Sequence, residues 1–222
     1  VELHAKIVEA ESAFARYWLE LREGIHYLRG NRYVVLLGIS WALFIGAMLT
    51  QGVVTAPLSE RLLHSGAVGY GWLNAGWGMG AFLSVIYTPK VIRNLGARRS
   101  VACSMALLSA SIFLAPSSRL LVLAVVLYTL MGSARGVGGI AISSSMMEQV
   151  PPHFMGRVQN TFYFAGTFLQ VTLGLLVGAV AHHIGLAPAF AIIAGIYAIA
   201  FLTASWPVQP TPVASPTEAS QV

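Results

Sequence analysis

Arg119-Leu-Leu-Val-Leu-Ala-Val-Val-Leu-Tyr128-Thr-Leu-Met-Gly132-Ser-Ala-Arg135-Gly136-Val-Gly138-Gly139, running on from Ile140 through Met147 to Glu148 and Gln149, decides the fold. It is apolar and long enough to cross a bilayer, which takes about 20 residues in a helix. It spans only if Arg135 lies inside the membrane. A charge at the bilayer centre costs at least ~2.5–3.5 kcal/mol. Arg135 should therefore face a packed bundle or a watery cavity, and the rest of the chain reads as the wall of that cavity.

The composition supports this. The chain of 222 residues is 56% hydrophobic and only 9% charged, where a soluble domain carries about 25% charged residues. That is the make-up of a multi-pass membrane protein. The net charge of +5 comes from Lys and Arg gathered in particular loops, which is a topology signal and not a nucleic-acid one. One cysteine, Cys103, lies in an apolar run, where a small buried hydrophobe is expected. No His/Cys grouping has metal-ligand spacing, so no metal and no cofactor is expected. His182 and His183 are adjacent, and neighbours in a helix do not face each other.

Outward from the organising stretch, five more apolar spans are expected. They are Tyr33–Ala56 closed by Pro57, Val68–Thr88 closed by Pro89, Ser100–Ala115 closed by Pro116, Val158–Ala181, and Ala187–Ser205 opened by Pro188. The third is short and should borrow residues from its flanks. Residues 1–32 are polar with a helical pattern: Phe14, Trp18, Leu21, Ile25 and Leu28 share one face. They predict an amphipathic helix at the interface, with Tyr17, Trp18 and Tyr27 suited to headgroups. Residues 207–222 are rich in Pro, Thr, Ser and Ala and are expected to be disordered. The chain opens on Val1 with no signal peptide before the first span, and more sequence is expected upstream.

Orientation follows from the basic residues. Lys6, Arg16, Arg22, Arg29 and Arg32 precede the first span; Lys90, Arg93, Arg98 and Arg99 follow the second; Arg157 precedes the fifth. Only Arg61 and Arg119 fall on the other side. This bias puts the N-terminal segment and the C-terminal tail in the cytoplasm of a plasma-membrane (inner-membrane) protein. Gly76-x-Gly78-x-Gly80, Gly132-x-x-x-Gly136 and Gly174-x-x-x-Gly178 predict close helix packing. They lie inside spans with no Walker lysine after them, which argues against a nucleotide loop.

The strongly polar intramembrane side chains are Gln51, Asn74, Arg135, Asn160 and Gln170, in spans one, two, four and five. Spans three and six carry nothing more polar than Ser, Thr or Tyr. Four helices would line a polar interior and two would sit outside. Spans one to three and four to six are then equivalent triplets of opposite orientation, the inverted repeat of secondary transporters. The fold expected is an all-α membrane protein of six transmembrane helices in two inverted three-helix repeats, preceded by a cytoplasmic amphipathic helix. Arg135 is the candidate substrate contact, against the alternative of a structural arginine paired with carbonyls or a carboxylate. Gln51, Asn74 and Gln170 divide between cavity lining and interhelical hydrogen bonds. Tyr128 lies two turns before Arg135 and shares its face, with Tyr163 a similar candidate and core packing the alternative for both. No Asp occurs, and Glu60 and Glu148 lie at span ends, so a membrane-embedded proton relay is not supplied here.

These residues resemble the C-terminal half of a major facilitator superfamily transporter, closest to the drug-exporter branch with enterobactin and macrolide exporters. Glu20-Leu-Arg-Glu-Gly-Ile-His-Tyr-Leu-Arg29 resembles the phrase before the seventh helix of these exporters. Gly71–Gly80 resembles their glycine-rich eighth helix, and Val150-Pro-Pro-His-Phe-Met-Gly156-Arg157-Val158 their loop between helices ten and eleven. The likeness covers about residues 15–206. Pro89–Arg99 resembles a degenerate copy of the cytoplasmic loop motif: Gly96, Arg98 and Arg99 match, and Arg93 stands where an acidic residue is expected. Arg98 and Arg99 are therefore read as topological charge. The resemblance implies a second six-helix half, a small-molecule substrate between the halves, alternating access, and proton-driven export. It also implies that spans one, two, four and five line the cavity. The lipid bilayer, the substrate and the N-terminal half are the partners expected; nucleic acid is not. A self-contained six-helix scaffold or receptor is the competing reading, told apart by whether six more spans precede Val1. No nucleophile–base or metal constellation favours an enzyme.

Overall fold

The computed structural model describes residues 32–207, apart from the side chain of His153. The expected amphipathic helix before Arg32, with the motif around Glu20–Arg29, and the tail after Pro207 lie outside the described residues.

Six long helices form, and no strand forms among the described residues. They are α1 (Arg32–Pro57), α2 (Gly66–Leu95), α3 (Ala97–Leu114), α4 (Leu121–Gln149), α5 (Pro152–His183) and α6 (Leu186–Ser205). Five of them are both long and apolar enough to cross a membrane. The remaining one, α2, has the length at 30 residues. Its many glycines, Asn74 and its Trp and Tyr residues lower its hydropathy. A backbone in hydrocarbon must satisfy its own hydrogen bonds, which a helix does by itself.

The same constraint explains where the spans differ from expectation. Pro57 does not close the first: the chain continues as a π-helical turn, Leu58–Leu62, with the Leu63 N–H bonded to the Leu58 carbonyl at 3.1 Å. Nor does Pro89 close the second, for it lies inside α2, which runs on to Leu95. Proline removes one intrahelical donor. In α2, Ser84 and Thr88 fold their hydroxyls onto the carbonyls of Ala81 (2.7 Å) and Ser84 (2.6 Å) beside that break. Such local bonds let membrane helices pass through proline. Pro116 does end the third span, in a short 3-10 turn of Ala115–Ser117, and α3 borrows Ala97 to Arg99 from its flank. Helix α5 starts six residues early, at Pro152, a residue already shaped for a first turn.

Two connections are single tight turns built on glycine. Gly96 has φ +79° and joins α2 to α3; Gly185 has φ +132° and joins α5 to α6 after Ile184. Both values lie where a Cβ is strained.

Helix α2 packs along α4, and α5 along α1. Helix α4 also packs on α3, and α1 on α6, while α3 and α6 pack on each other. Contact of α1 with α2 and with α4 is sparse. The α2–α4 seam is the closest. A Cβ on Gly80 would overlap the Thr129 carbonyl, one on Gly132 the Trp77 carbonyl, and one on Gly136 the Ser84 hydroxyl. The Tyr87 and Ser133 hydroxyls bond across the same seam. Gly174 and Gly178 depart from expectation: Gly174 meets nothing within 4 Å and Gly178 only Val53 at 3.7 Å. Gly178 thus makes only ordinary contact with α1, and the close approach of α5 to α1 comes at Gly166, which packs on Ile45 and the Ala42 carbonyl. Cys103 is also a correction. It is exposed, because Ser100, Val101, Ser104, Met105 and Leu108 take the buried face of α3.

Candidate functional site

Arg135 lies fourteen residues from each end of α4 (121 to 135 and 135 to 149). At 1.5 Å per residue that is about 21 Å from either end. The side chain is half-buried. Its Nε donates to the Met48 Sδ of α1 at 3.0 Å, and its guanidinium carbon lies 4.8 Å from the centre of the Trp77 ring of α2. Arg135 thus bridges three helices at the place where α1 makes little other contact with α2 or α4. Thioether sulfur is a weak acceptor, and an indole face attracts a cation without accepting a conventional hydrogen bond.

Tyr197 of α6 is a separate buried polar side chain. It is fully buried against Phe44, ring centres 6.5 Å apart. Its hydroxyl has no hydrogen-bond partner among the described residues, and it lies within electrostatic reach of Arg135. So α6 carries one polar group inward, although its sequence reads as an outer helix.

Two turns before Arg135, Tyr128 is buried, and its hydroxyl meets the Thr55 hydroxyl at 3.0 Å and the Gln51 side chain. Of the two roles open to Gln51, this contact is the interhelical one. Pairing of 55 with 128 and of 48 with 135 makes α1 and α4 antiparallel. Asn74 is exposed, its amide donating to the Tyr70 carbonyl at 2.9 Å, one turn before Trp77 on α2. Gln170 is half-buried on α5; Tyr163 and Asn160 are exposed on the same helix. The structure therefore brings Arg135, Met48 and Trp77 together, and separately Gln51, Thr55 and Tyr128. Asn74 lies beside the first group, and Gln170 belongs to neither.

The basic end shows what the loop motifs become. Of Gly96, Arg98 and Arg99, only Gly96 lies outside a helix; the two arginines start α3. One glycine in the left-handed region turns the chain, so no longer loop is needed. Arg99 is exposed. Arg98 is more than topological charge. Its Nε donates to the Ala204 carbonyl in the last turn of α6 at 2.9 Å, and its guanidinium stands 5.8 Å over the Tyr33 ring. A cation there matches the negative end of the α6 dipole. The contact also puts the starts of α1 and α3 and the end of α6 at one end of the bundle. Gly156 and Arg157, expected in a loop, lie in the early turns of α5, with Arg157 5.6 Å over the Phe154 ring.

Met48, Trp77 and Tyr197 are absent from the residues marked by sequence. Trp77 carried one signal. Tryptophan favours the membrane interfaces, and Trp77 is deep inside its span. Met48 and Tyr197 carried none, since each is unremarkable in an apolar helix.

No protein-family model matches the chain, and no curated protein sequence aligns with it significantly.

Proposed function

We propose that the chain is the C-terminal six-helix half of a secondary transporter of the major facilitator type. It would export small amphipathic molecules by alternating access from a plasma membrane, with both its termini cytoplasmic. The observation that carries this reading is Arg135, a permanent charge at the midpoint of α4 held, among the described residues, by a thioether and an indole face. Intramembrane charge is expensive and marks function by default.

The packing pattern supports an inverted repeat. Exchanging α1 with α4, α2 with α5 and α3 with α6 turns every major helix pair into another or into itself. The α2–α4 pair becomes α5–α1, α3–α4 becomes α6–α1, and α3–α6 maps onto itself. The sparse α1–α4 contact also maps onto itself. Gly96 and Gly185, each at positive φ, occupy equivalent turns under the same exchange. In this architecture Arg135 belongs to the substrate cavity, with Trp77, Asn74 and Met48 on its wall.

The test is Arg135→Ala in the full-length protein, with efflux from cells and membrane insertion measured in parallel. Transport should be lost or redirected while insertion is unchanged. Unaltered efflux of every transported compound at normal expression would remove Arg135 from the mechanism.

A further inference from the structure

We infer that the Arg135 site selects an amphipathic organic anion, an acidic head on an aryl or acyl body. This rests on the transporter reading only in calling that ligand a substrate; the anion preference stands or falls by binding alone.

Charge balance is the starting point. The acidic residues among those described are Glu60 and Glu148. Glu148 lies thirteen residues beyond Arg135 on α4, about 20 Å away along the axis. Glu60 lies twelve residues beyond Met48 along α1 and the turn that follows it, about 18 Å away. Neither reaches the guanidinium.

Hydrogen-bonding capacity comes next. A guanidinium offers five N–H donors in a planar fork. One, on Nε, goes to Met48 Sδ. The two terminal nitrogens have no acceptor among the described residues, and they are the pair that grips a carboxylate through two parallel bonds. All of these are donors, and the acceptor they lack is an anion. A cationic ligand would face like charge in a low-dielectric setting, and a neutral one would leave the charge unbalanced.

The apolar half of the ligand follows from the walls. The half-buried Trp77 indole lies 4.8 Å from the guanidinium carbon, and the Met48 thioether meets Nε. Methionine adapts its shape to varied partners. Asn74, one turn before Trp77 on α2, is exposed and polar. A charged head with a flat or flexible body fits this lining, whereas a polyol does not.

The experiment uses the purified full chain in a neutral maltoside detergent. Two probes share one apolar body: 2-naphthoate and its uncharged isostere 2-naphthamide. Equilibrium dialysis measures the affinity of each. A ligand of this size should bind near ~1 mM or tighter. Naphthoate should bind about tenfold tighter than the amide, the difference between a charge-assisted and a neutral pair of hydrogen bonds. In Arg135→Gln the preference should fall to within about twofold, and Arg135→Lys should keep part of it. Equal affinities in the unaltered chain overturn the inference, as does tighter binding of 2-naphthylmethylammonium or no saturable naphthoate binding. The comparison in the unaltered chain needs no variant to fold. A preference that survives in Arg135→Gln also overturns it, because the anion is then read elsewhere. Anion preference in a protein that moves nothing in vesicles would sustain this inference and defeat the transporter reading. Transport with no charge preference would do the reverse.

Discussion

The seam between α2 and α4 allows the sharpest test of how the bundle is held. Helix association in lipid gains nothing from hydrophobic burial, so it depends on backbones approaching closely. At Gly80 the space for a Cβ is already filled by the Thr129 carbonyl, and at Gly132 by the Trp77 carbonyl. Backbone atoms cannot swing aside as a side chain would. Alanine at Gly80 must push the two helices apart by roughly 1 Å over several turns, and overpacking of this kind costs about 1–3 kcal/mol. Helix propensity opposes this, since alanine is favoured over glycine by up to ~1 kcal/mol in a helix interior. Gly78 and Gly139 are the controls, one on each helix, because a Cβ on either meets nothing within 4 Å. Gly78→Ala and Gly139→Ala should be neutral or stabilising by up to ~1 kcal/mol. Gly80→Ala and Gly132→Ala should be less stable than these controls by the overpacking cost, a gap of about 1–3 kcal/mol, since the propensity gain is common to all four. Reversible unfolding in mixed micelles, followed by circular dichroism, measures all four against the unaltered chain. If the four variants unfold together, the close approach of α2 and α4 does not hold the bundle, and the geometry at Arg135, which stacks across that seam, loses its support.

Arg98→Met should lower stability by about 1–2 kcal/mol, through the lost charge-assisted bond to the Ala204 carbonyl and the lost contact with the Tyr33 ring; Arg98→Lys should restore part of it, and equal stability of both variants would reduce Arg98 to topological charge. Cys103 should react with a lipid-soluble maleimide in native membranes and resist a membrane-impermeant sulfonated one, and Cys103→Ala should change stability by less than ~0.5 kcal/mol; strong labelling by the impermeant reagent would show that the outward face of α3 meets water.

The order of the spans was legible because apolar runs of membrane length are hard to mistake. Their ends were less so. Pro57 and Pro89 were read as stops, a rule that works where water can take up the freed backbone groups. Water is missing from the bilayer core, so the chain prefers a π turn after Pro57 or a continued helix through Pro89 to an open backbone. The glycine motifs divided for a different reason. Gly80 and Gly132 face each other across two neighbouring helices, while Gly174 is open on its own, and spacing within one helix says nothing of which neighbour it meets. Arg135 was legible as an expensive residue. Its partners were not: Met48 and Trp77 sit on two other helices, and only the folded bundle brings both to the guanidinium.

That gathering bears on why the arginine is tolerated. A charge at this depth costs at least ~2.5–3.5 kcal/mol on the most lenient scale. An aromatic face returns about 0.5–2 kcal/mol, more as water is excluded, and a thioether acceptor adds little. A leucine at position 135 could pack against Trp77 and Met48 without that charge penalty. If stability alone shaped the site, the arginine would be a poor choice, and lysine would be poorer still because it lacks a planar fork for the indole ring. Among the described residues, the partners meet the side chain without supplying an opposite charge. Met48 accepts from Nε and the Trp77 ring lies 4.8 Å away, so the side chain is held before any ligand arrives. Preorganised donors lose little entropy on binding. The same residues that fail as counterions serve well as a clamp, which is why the site reads more readily as a place for an incoming anion than as an internal brace.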